Sequence, residues 1–250
     1  QRKQARGIWR TVEPVIGATA GCVVPPDGYL ATIREICDNY DVLLIADEVL
    51  TGFGRTGRTF AVEHWGITPD LMVLAKGMSS GYCPLGAAVA SANIAAAFAQ
   101  VDGGFDHVFT YGGHPLAAAI GLAALDILER EKLVDRARDL GATLFQKAER
   151  LREHPIVGDV RGMGLMMGIE FVRDRASMAP FEPELAVYQR VTSGALRRGL
   201  IVYPGHGAID GVKGDHISLY PPLIVSAEEI DEMLDILHAT IGEVESSLGR

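Results

Sequence analysis

The sequence predicts an α/β fold in which a mostly parallel sheet is followed by a smaller α+β domain. Through the first half of the chain, short apolar runs alternate with amphipathic stretches, which is the pattern of strands joined by helices. The run at residues 42–46 is apolar without alternation, so we expect a strand that is buried on both faces, as in parallel sheets. From about residue 131 the chain becomes charged and helical, and short strand-like runs follow.

The elements of the first half have separate local signals. Residues 8–12 predict a weak first strand, and the Pro-Pro-Asp sequence at 25–27 opens a helix. That helix has an apolar stripe at helical spacing, formed by Leu30, Ile33, Cys37 and Tyr40. Two further apolar runs, at residues 71–74 and 86–90, predict the next strands of the sheet.

A helix of small residues connects the two parts of the chain. Pro115 suits the first position of a helix, and the Ala and Gly residues between 117 and 124 make this helix thin enough for close packing. We therefore divide the chain into part of a large domain at residues 1–113, a connecting helix at 114–130 and a small domain at 131–250.

The predicted small domain combines helices with short strands. After a charged helix at about 131–154, we place strands at 157–160, 165–171, 200–203 and 216–219 and a helix at 184–198. The final helix begins with a capping box formed by Ser226 and Glu229. Its apolar stripe comprises Ile230, Met233, Leu234, Leu237 and Ile241.

Composition and charge exclude several classes of protein. The 250 residues are 48% apolar and 22% charged, and the formal net charge is −9. An acidic chain without a basic stripe is a poor binder of nucleic acid, and the apolar runs are far too short to span a membrane. The three cysteines, Cys22, Cys37 and Cys83, have no metal-ligand spacing. Their odd number favours a reducing, cytoplasmic setting over a disulfide framework.

A carboxylate and an amine follow two of the predicted strands. Asp47 ends the run at 42–46, and Lys76, 29 positions later, follows the run at 71–74. Both should reach the same edge of a parallel sheet. Pyridoxal phosphate needs this pair, because the carboxylate keeps its pyridine nitrogen protonated and the amine attaches to it covalently. The small residues that begin at Gly77 predict close approach to a ligand and a desolvated amine.

Each of these two residues also has a purely structural interpretation. A carboxylate at a strand end often only caps the next loop, and a lysine after an apolar strand is usually a surface residue. A phosphate loop of the ATPase type is a further alternative, since residues 52–59 nearly fit G-x-x-x-x-G-K-[ST]. That match fails because Arg58 replaces the lysine and because the loop follows the acidic strand. The sequence has no H-E-x-x-H pair.

Longer motifs extend over essentially the whole chain. They include Val12-Glu13-Pro14, Asp47-Glu48-Val49, the Thr-Gly-Phe-Gly-Arg-Thr-Gly sequence at 51–57, Ala75-Lys76-Gly77, Thr110-Tyr111, Gly113-His114-Pro115, Gly214-Asp215-His216 and Pro221-Pro222-Leu223. In these motifs the chain resembles the class III (ω-type) pyridoxal-phosphate aminotransferases of fold type I. The resemblance is strongest to the amine:pyruvate and β-alanine:pyruvate group.

The resemblance implies roles for four residues. Lys76 matches the Schiff-base lysine, which also acts as the general base, and Asp47 matches the residue paired with the pyridinium nitrogen. Val49 matches the residue packed on one face of the cofactor ring. Thr110 matches a threonine that reaches the cofactor phosphate of the neighbouring subunit, which implies a homodimer with shared active sites.

The resemblance also implies an activity. We expect transfer of an amino group from an ω-amino acid or amine to a keto acid such as pyruvate, by a ping-pong mechanism. Other pyridoxal-phosphate reactions on the same fold, namely those of an aminomutase, racemase or decarboxylase, are alternatives. A truncated chain without catalytic activity is another.

The chain departs from the family pattern in three ways. The N-terminal portion that supplies a phosphate loop and a stacking aromatic residue is expected to be missing. Where many relatives hold an α-carboxylate with an arginine that a glutamate neutralises, the matching residues are Ser218 and Ala18. Where amine:pyruvate relatives often have a mobile arginine, the match is Gly211, with Lys213 as the nearest cation.

Overall fold

Contacts divide the chain into two units. The computed structural model describes residues 8–249 except 101 and 103. The first unit holds the described residues up to Pro14 together with Pro25–Val134, and the second holds Val15–Val24 with the described residues from Asp135 onward. The assignment of a large domain, a connecting helix and a small domain stays a prediction.

A four-stranded sheet organises the first unit. Its strands, in spatial order, are β1 (Trp9–Val12), β2 (Leu43–Asp47), β3 (Leu71–Leu74) and β4 (Ala87–Ala90). The first three strands run parallel, whereas β4 runs antiparallel to β3. The predicted α/β fold with a mostly parallel sheet is therefore confirmed. The apolar run of β4 alone did not indicate its direction.

The two faces of β2 are buried to different extents. Leu44 and Ala46 are fully buried, whereas Leu43, Ile45 and Asp47 are partly exposed. The prediction that β2 is buried on both faces therefore holds for one face only. The described part of the chain covers the other face incompletely. Since side chains alternate along a strand, Asp47 lies on the less buried face.

Three helices accompany this sheet, namely α1 (Tyr29–Tyr40), α2 (Ala92–Ala99) and α3 (Pro115–Arg130). The predicted stripe of α1 buries Leu30 and Cys37. The sequence signals do not predict α2, because its Ala-rich run has no polar face that would reveal a helical period. The predicted close packing of α3 is present, since a Cβ added at Gly121 would lie 2.7 Å from Leu85 Cδ2.

The second unit contains an antiparallel sheet and three helices. In chain order its elements are α4 (Leu133–Ala148, which begins two residues before the boundary), β5 (Val157–Met163), β6 (Met166–Phe171), α5 (Val187–Arg197), β7 (Tyr203–Gly205), β8 (Asp215–Leu219) and α6 (Ala227–Ser247). The sheet order is β5-β6-β8-β7. The predicted capping box of α6 is present, with Ser226 Oγ accepting from Glu229 N–H at 3.1 Å and Glu229 Oε2 accepting from Ser226 N–H at 2.7 Å. The strand expected at 200–203 lies at Tyr203–Gly205 instead.

The segment Val15–Val24 is held in the second unit through its carbonyl groups. Arg161 donates to the carbonyl oxygens of Ala20 and Gly21, each at 2.9 Å. His216 Nε2 contacts the carbonyl oxygen of Ala18 at 3.1 Å. These two side chains lie more than a hundred residues after the segment, so the grouping could not be read from local sequence patterns.

Within the described ranges, no helix is both long and apolar enough to cross a bilayer. No group of His, Cys, Asp and Glu side chains in the same ranges is arranged to hold a metal ion.

Candidate active site

The carboxyl ends of β2 and β3 bring two of the predicted site residues to one edge of the sheet. Asp47 is the last residue of β2 and pairs with Val73 on the parallel neighbour. The next amide, Glu48 N–H, donates to the Val73 carbonyl oxygen at 3.0 Å. Lys76 follows two residues after the end of β3. The edge where both strands end is the usual ligand-binding edge of an open α/β sheet.

The orientation of Asp47 is set by the loop that follows it. Its Oδ1 atom accepts a hydrogen bond from Val49 N–H at 3.1 Å. This local turn fixes the carboxylate relative to the backbone of Val49, and both side chains are partly buried. The turn therefore fixes Asp47, expected at the ring nitrogen of the cofactor, relative to the backbone of Val49, expected at one face of the ring.

Lys76 has an unusual backbone conformation. Its φ angle is +43°, in the left-handed region that side-chain-bearing residues rarely occupy, and it begins a short helical turn, Lys76–Ser79. Ser79 Oγ closes this turn by donating to the Cys83 carbonyl oxygen at 2.6 Å. Such strain costs about 1–3 kcal/mol and persists only where surrounding packing imposes it. The sequence argument expected a desolvated amine. In this structure the Lys76 side chain is exposed instead.

Glu48 is a buried carboxylate beside this edge that the sequence analysis did not assign to the site. It has no exposed surface, and it accepts hydrogen bonds from the Thr51 hydroxyl and, at 2.9 Å, from Val62 N–H. Its carbonyl oxygen accepts from Gly52 N–H at 2.9 Å. Glu48 therefore closes the loop that carries Val49. The sequence signal that could have indicated this turn is the Thr51-Gly52 pair three residues after Glu48.

Replacing Glu48 with glutamine should keep the acceptor for Val62 N–H, with the Thr51 hydroxyl now accepting from the amide group, but should remove a pH dependence. Burial raises the pKa of Glu48, against the opposing effect of its hydrogen bonds, so the folded protein binds this proton more tightly than the unfolded chain. The wild type therefore loses this stabilisation as pH rises through the folded-state pKa. The free energy of unfolding of Glu48→Gln, relative to wild type, should rise from about pH 4.3 towards neutrality.

Urea unfolding at several pH values measures this difference. A Glu48→Ala variant provides the contrast, because it leaves Val62 N–H without its acceptor and should cost about 1–3 kcal/mol throughout the range. A Gln-minus-wild-type difference that does not change with pH would contradict the assignment.

Comparison with known proteins identifies the family. Residues 11–241 match the family model described as aminotransferase class-III. This chain belongs to the class-III aminotransferases. It is 42% identical over 237 residues to an uncharacterized aminotransferase of Bacillus subtilis, a match that covers 94% of this chain and 53% of the relative. It is 38% identical over 237 residues to a putrescine–pyruvate aminotransferase of Pseudomonas aeruginosa, covering 94% of this chain and 50% of that protein.

Solved structures of aminotransferases confirm the predicted fold type I. An (S)-enantioselective ω-transaminase from Thermomicrobium roseum superimposes with a TM-score of 0.86 at 44% identity, covering 94% of this chain and 50% of that chain. A transaminase from the marine bacterium Virgibacillus gives a TM-score of 0.89 at 37% identity, covering 95% of this chain and 53% of that one. The chain thus spans about half the length of the relatives it matches.

The residues of this class-III aminotransferase fit pyridoxal phosphate in chemical type. A partly buried carboxylate, Asp47, can pair with a protonated ring nitrogen, and the exposed amine of Lys76 is free of steric cover. Val49 supplies an apolar side chain, and its backbone N–H binds the carboxylate of Asp47. Residues of these types at one sheet edge are what the cofactor requires.

Thr110 lies in the segment between α2 and α3. It is exposed, and its neighbours Phe109 and Tyr111 are 71% and 81% exposed. Aromatic rings of this segment make edge-to-face contacts, with centroid distances of 4.7 Å for His107–Phe109 and 5.1 Å between Phe105 and Phe98 of α2. An exposed aromatic surface of this kind marks an interaction site in many proteins.

Ser218 and Ala18, at which the sequence predicts no ligand for an α-carboxylate, lie in the second unit. Ser218, on β8, is 1% exposed, beside the hydroxyl of Tyr220. Burial raises the pKa of that hydroxyl above its usual range. Ala18 presents its carbonyl oxygen to His216. Neither position carries a charged side chain.

The loop before β8 offers one cation, and that cation is paired. Gly211 has a φ angle of +74° and no side chain with which to bind a carboxylate. Lys213 Nζ lies 2.8 Å from Glu182 Oε2, and both side chains are partly exposed. The hydrogen bond and charge of Lys213 hold the pKa of Glu182 below its ordinary value.

Proposed function

We propose that this protein catalyses pyridoxal-phosphate-dependent transamination, moving an amino group from an ω-amino acid or amine to a keto acid such as pyruvate. The observation that carries the proposal is the delivery of Asp47 and Lys76 to one edge of the sheet by the parallel strands β2 and β3. Family membership supports the same chemistry.

Each proposed site residue has a distinct task. When bound, pyridoxal phosphate supplies a ring that withdraws electrons from the substrate carbon next to the nitrogen. Asp47 keeps a proton on the ring nitrogen, in the orientation set by its hydrogen bond with Val49 N–H. Lys76 Nζ would hold the cofactor and would serve as the general base that takes a proton from the substrate carbon. Val49 packs against the ring.

The residues at the two family positions for an α-carboxylate favour an amine or ω-amino acid as the donor. Ser218 is buried and Ala18 is neutral, so an α-carboxylate finds no cation at either position. One relative is named a putrescine–pyruvate aminotransferase, and one structural neighbour is an ω-transaminase. For these reasons we propose an amine:pyruvate reaction with ping-pong kinetics for this protein.

We also propose that the protein acts as a homodimer with shared active sites. Thr110 is exposed within the aromatic segment described above, as a residue that serves a neighbouring subunit must be. Large exposed aromatic side chains on both sides of it favour burial against a second copy.

Alanine formation from pyruvate tests the function. The protein, incubated with pyridoxal phosphate, should form alanine with putrescine or β-alanine as donor and should form much less with glutamate. Initial rates at several concentrations of both substrates should give the parallel double-reciprocal lines of a ping-pong reaction.

Two outcomes would contradict transamination. Decarboxylation, racemisation or an amino shift in the donor without alanine would indicate another pyridoxal-phosphate reaction. Failure to attach the cofactor covalently would indicate a non-catalytic chain.

A further inference from the structure

We propose that Phe53 is a positioning residue that holds Lys76 in its left-handed conformation by packing on Gly77. The inference rests on the proposed role of Lys76. It concerns a residue that acts on the lysine through the backbone.

The contact between Phe53 and Gly77 leaves no space for a side chain. A Cβ added at Gly77 would lie 2.9 Å from Phe53 Cβ, 3.4 Å from its Cδ2 and 3.5 Å from its Cγ. Real Cβ atoms do not approach other carbon atoms to 2.9 Å, so the backbone of Gly77 lies directly on this side chain. Phe53 is 7% exposed, and it therefore forms a buried support beneath the residue that follows Lys76.

Phe53 is itself held firmly. Its φ angle is +57°, which is rare for a bulky residue and shows that surrounding contacts impose it. Its ring packs edge to face on Phe60, with centroids 5.7 Å apart. The adjacent Gly52 is also tightly placed, since a Cβ there would lie 2.8 Å from the Glu48 carbonyl oxygen.

Helix α3 also contacts the Lys76 turn. A Cβ added at Gly121, on α3, would lie 3.6 Å from the Met78 carbonyl oxygen. The turn Lys76–Ser79 therefore contacts both Phe53 and α3. A return of Lys76 to an ordinary negative φ would move the peptide that joins it to Gly77, and the close contact of Gly77 with Phe53 opposes this movement.

The consequence is a link between the two strand ends. Phe53 belongs to the loop after β2, which Glu48 closes, whereas Gly77 belongs to the turn after β3. Through this contact the loop that orients Asp47 also sets the direction in which Lys76 leaves the backbone. The Thr-Gly-Phe-Gly sequence at 51–54 would thus serve the geometry of the lysine rather than phosphate binding.

Two variants test the contact. Phe53→Gly removes the side chain at a position whose φ angle suits glycine. If that variant folds poorly, Phe53→Leu is used instead, because it removes the ring and keeps a buried apolar group. Phe60→Ala is the comparison variant, because it removes the ring beside Phe53 but leaves the Phe53 Cβ, the atom nearest to the added Cβ at Gly77, in place. Amide hydrogen exchange of residues 75–80, measured without cofactor, should rise about tenfold in Phe53→Gly, whereas Phe60→Ala should change it less than about twofold.

Covalent attachment of pyridoxal phosphate provides the second measurement. Borohydride reduction followed by peptide mass analysis gives the rate of attachment at Lys76, which should fall about tenfold in Phe53→Gly. Gly77→Ala should slow attachment in the wild-type background, because its Cβ would clash with Phe53. It should add little to Phe53→Gly, since the Phe53 Cβ with which it clashes is already absent there. Equal exchange and attachment rates in the Phe53 variants and the Phe60 control would overturn the inference.

The two proposals fail in different ways. If the wild-type protein does not attach the cofactor at Lys76, the proposed function fails. The exchange measurement needs no cofactor, so it still decides whether Phe53 restrains the Lys76 turn.

Discussion

Replacing Lys76 with alanine should abolish covalent attachment of pyridoxal phosphate and lower transamination by about 10⁴-fold or more. The amine is proposed both to anchor the cofactor and to move the proton, and alanine can do neither. The fold should be retained, because the side chain of Lys76 is exposed. Borohydride trapping and alanine formation from pyruvate measure the two losses separately.

Lys132 is a matched control within the same unit. It is an exposed lysine with a φ angle of +51°, close to the +43° of Lys76, and it lies between α3 and α4. Lys132→Ala should leave attachment and turnover unchanged. Glycine at either position should relieve left-handed strain and raise the free energy of unfolding by about 1 kcal/mol, although only Lys76→Gly should inactivate. Turnover by Lys76→Ala comparable to wild type would remove the lysine from its role.

Replacing Asp47 with asparagine should lower turnover by about 10²–10³-fold while preserving the local structure. Asparagine keeps an oxygen that can accept from Val49 N–H, so the turn after β2 should persist. It lacks the charge that would hold a proton on the ring nitrogen. The expected result is slow turnover, with covalent attachment at Lys76 still detectable by borohydride trapping.

Asp41→Asn is the corresponding control. Asp41 ends α1 in a left-handed conformation with a φ angle of +58°, which asparagine also adopts readily, and it lies six residues before Asp47. The substitution changes the net charge by the same amount, so it should leave kcat unaffected. If the two variants behave alike, the carboxylate of Asp47 has no special function.

The parts of the site that could be predicted are those with local signals. Asp47 and Lys76 each end an apolar run, and neighbouring parallel strands must deliver such residues to one edge. The capping box of Ser226 and Glu229 is likewise a signal contained within four residues. In each case the physical cause lies within a few positions along the chain.

The parts that could not be predicted depend on contacts between distant residues. The antiparallel direction of β4 depends on its partner strand, and an Ala-rich run such as α2 carries no helical period. The burial of Glu48 results from packing against the turn that contains Val62, fourteen residues away. The left-handed conformation of Phe53 is imposed by tertiary packing, since intrinsic preference opposes it.

The capture of Val15–Val24 by the second unit has a consequence for biosynthesis. Arg161, which binds the Gly21 carbonyl oxygen, lies 140 residues later in the chain. During translation the segment therefore leaves the ribosome long before its partners, while the strands on either side of it can already pair. The nascent chain must keep this stretch accessible until β5 and β8, which carry Arg161 and His216, have been made.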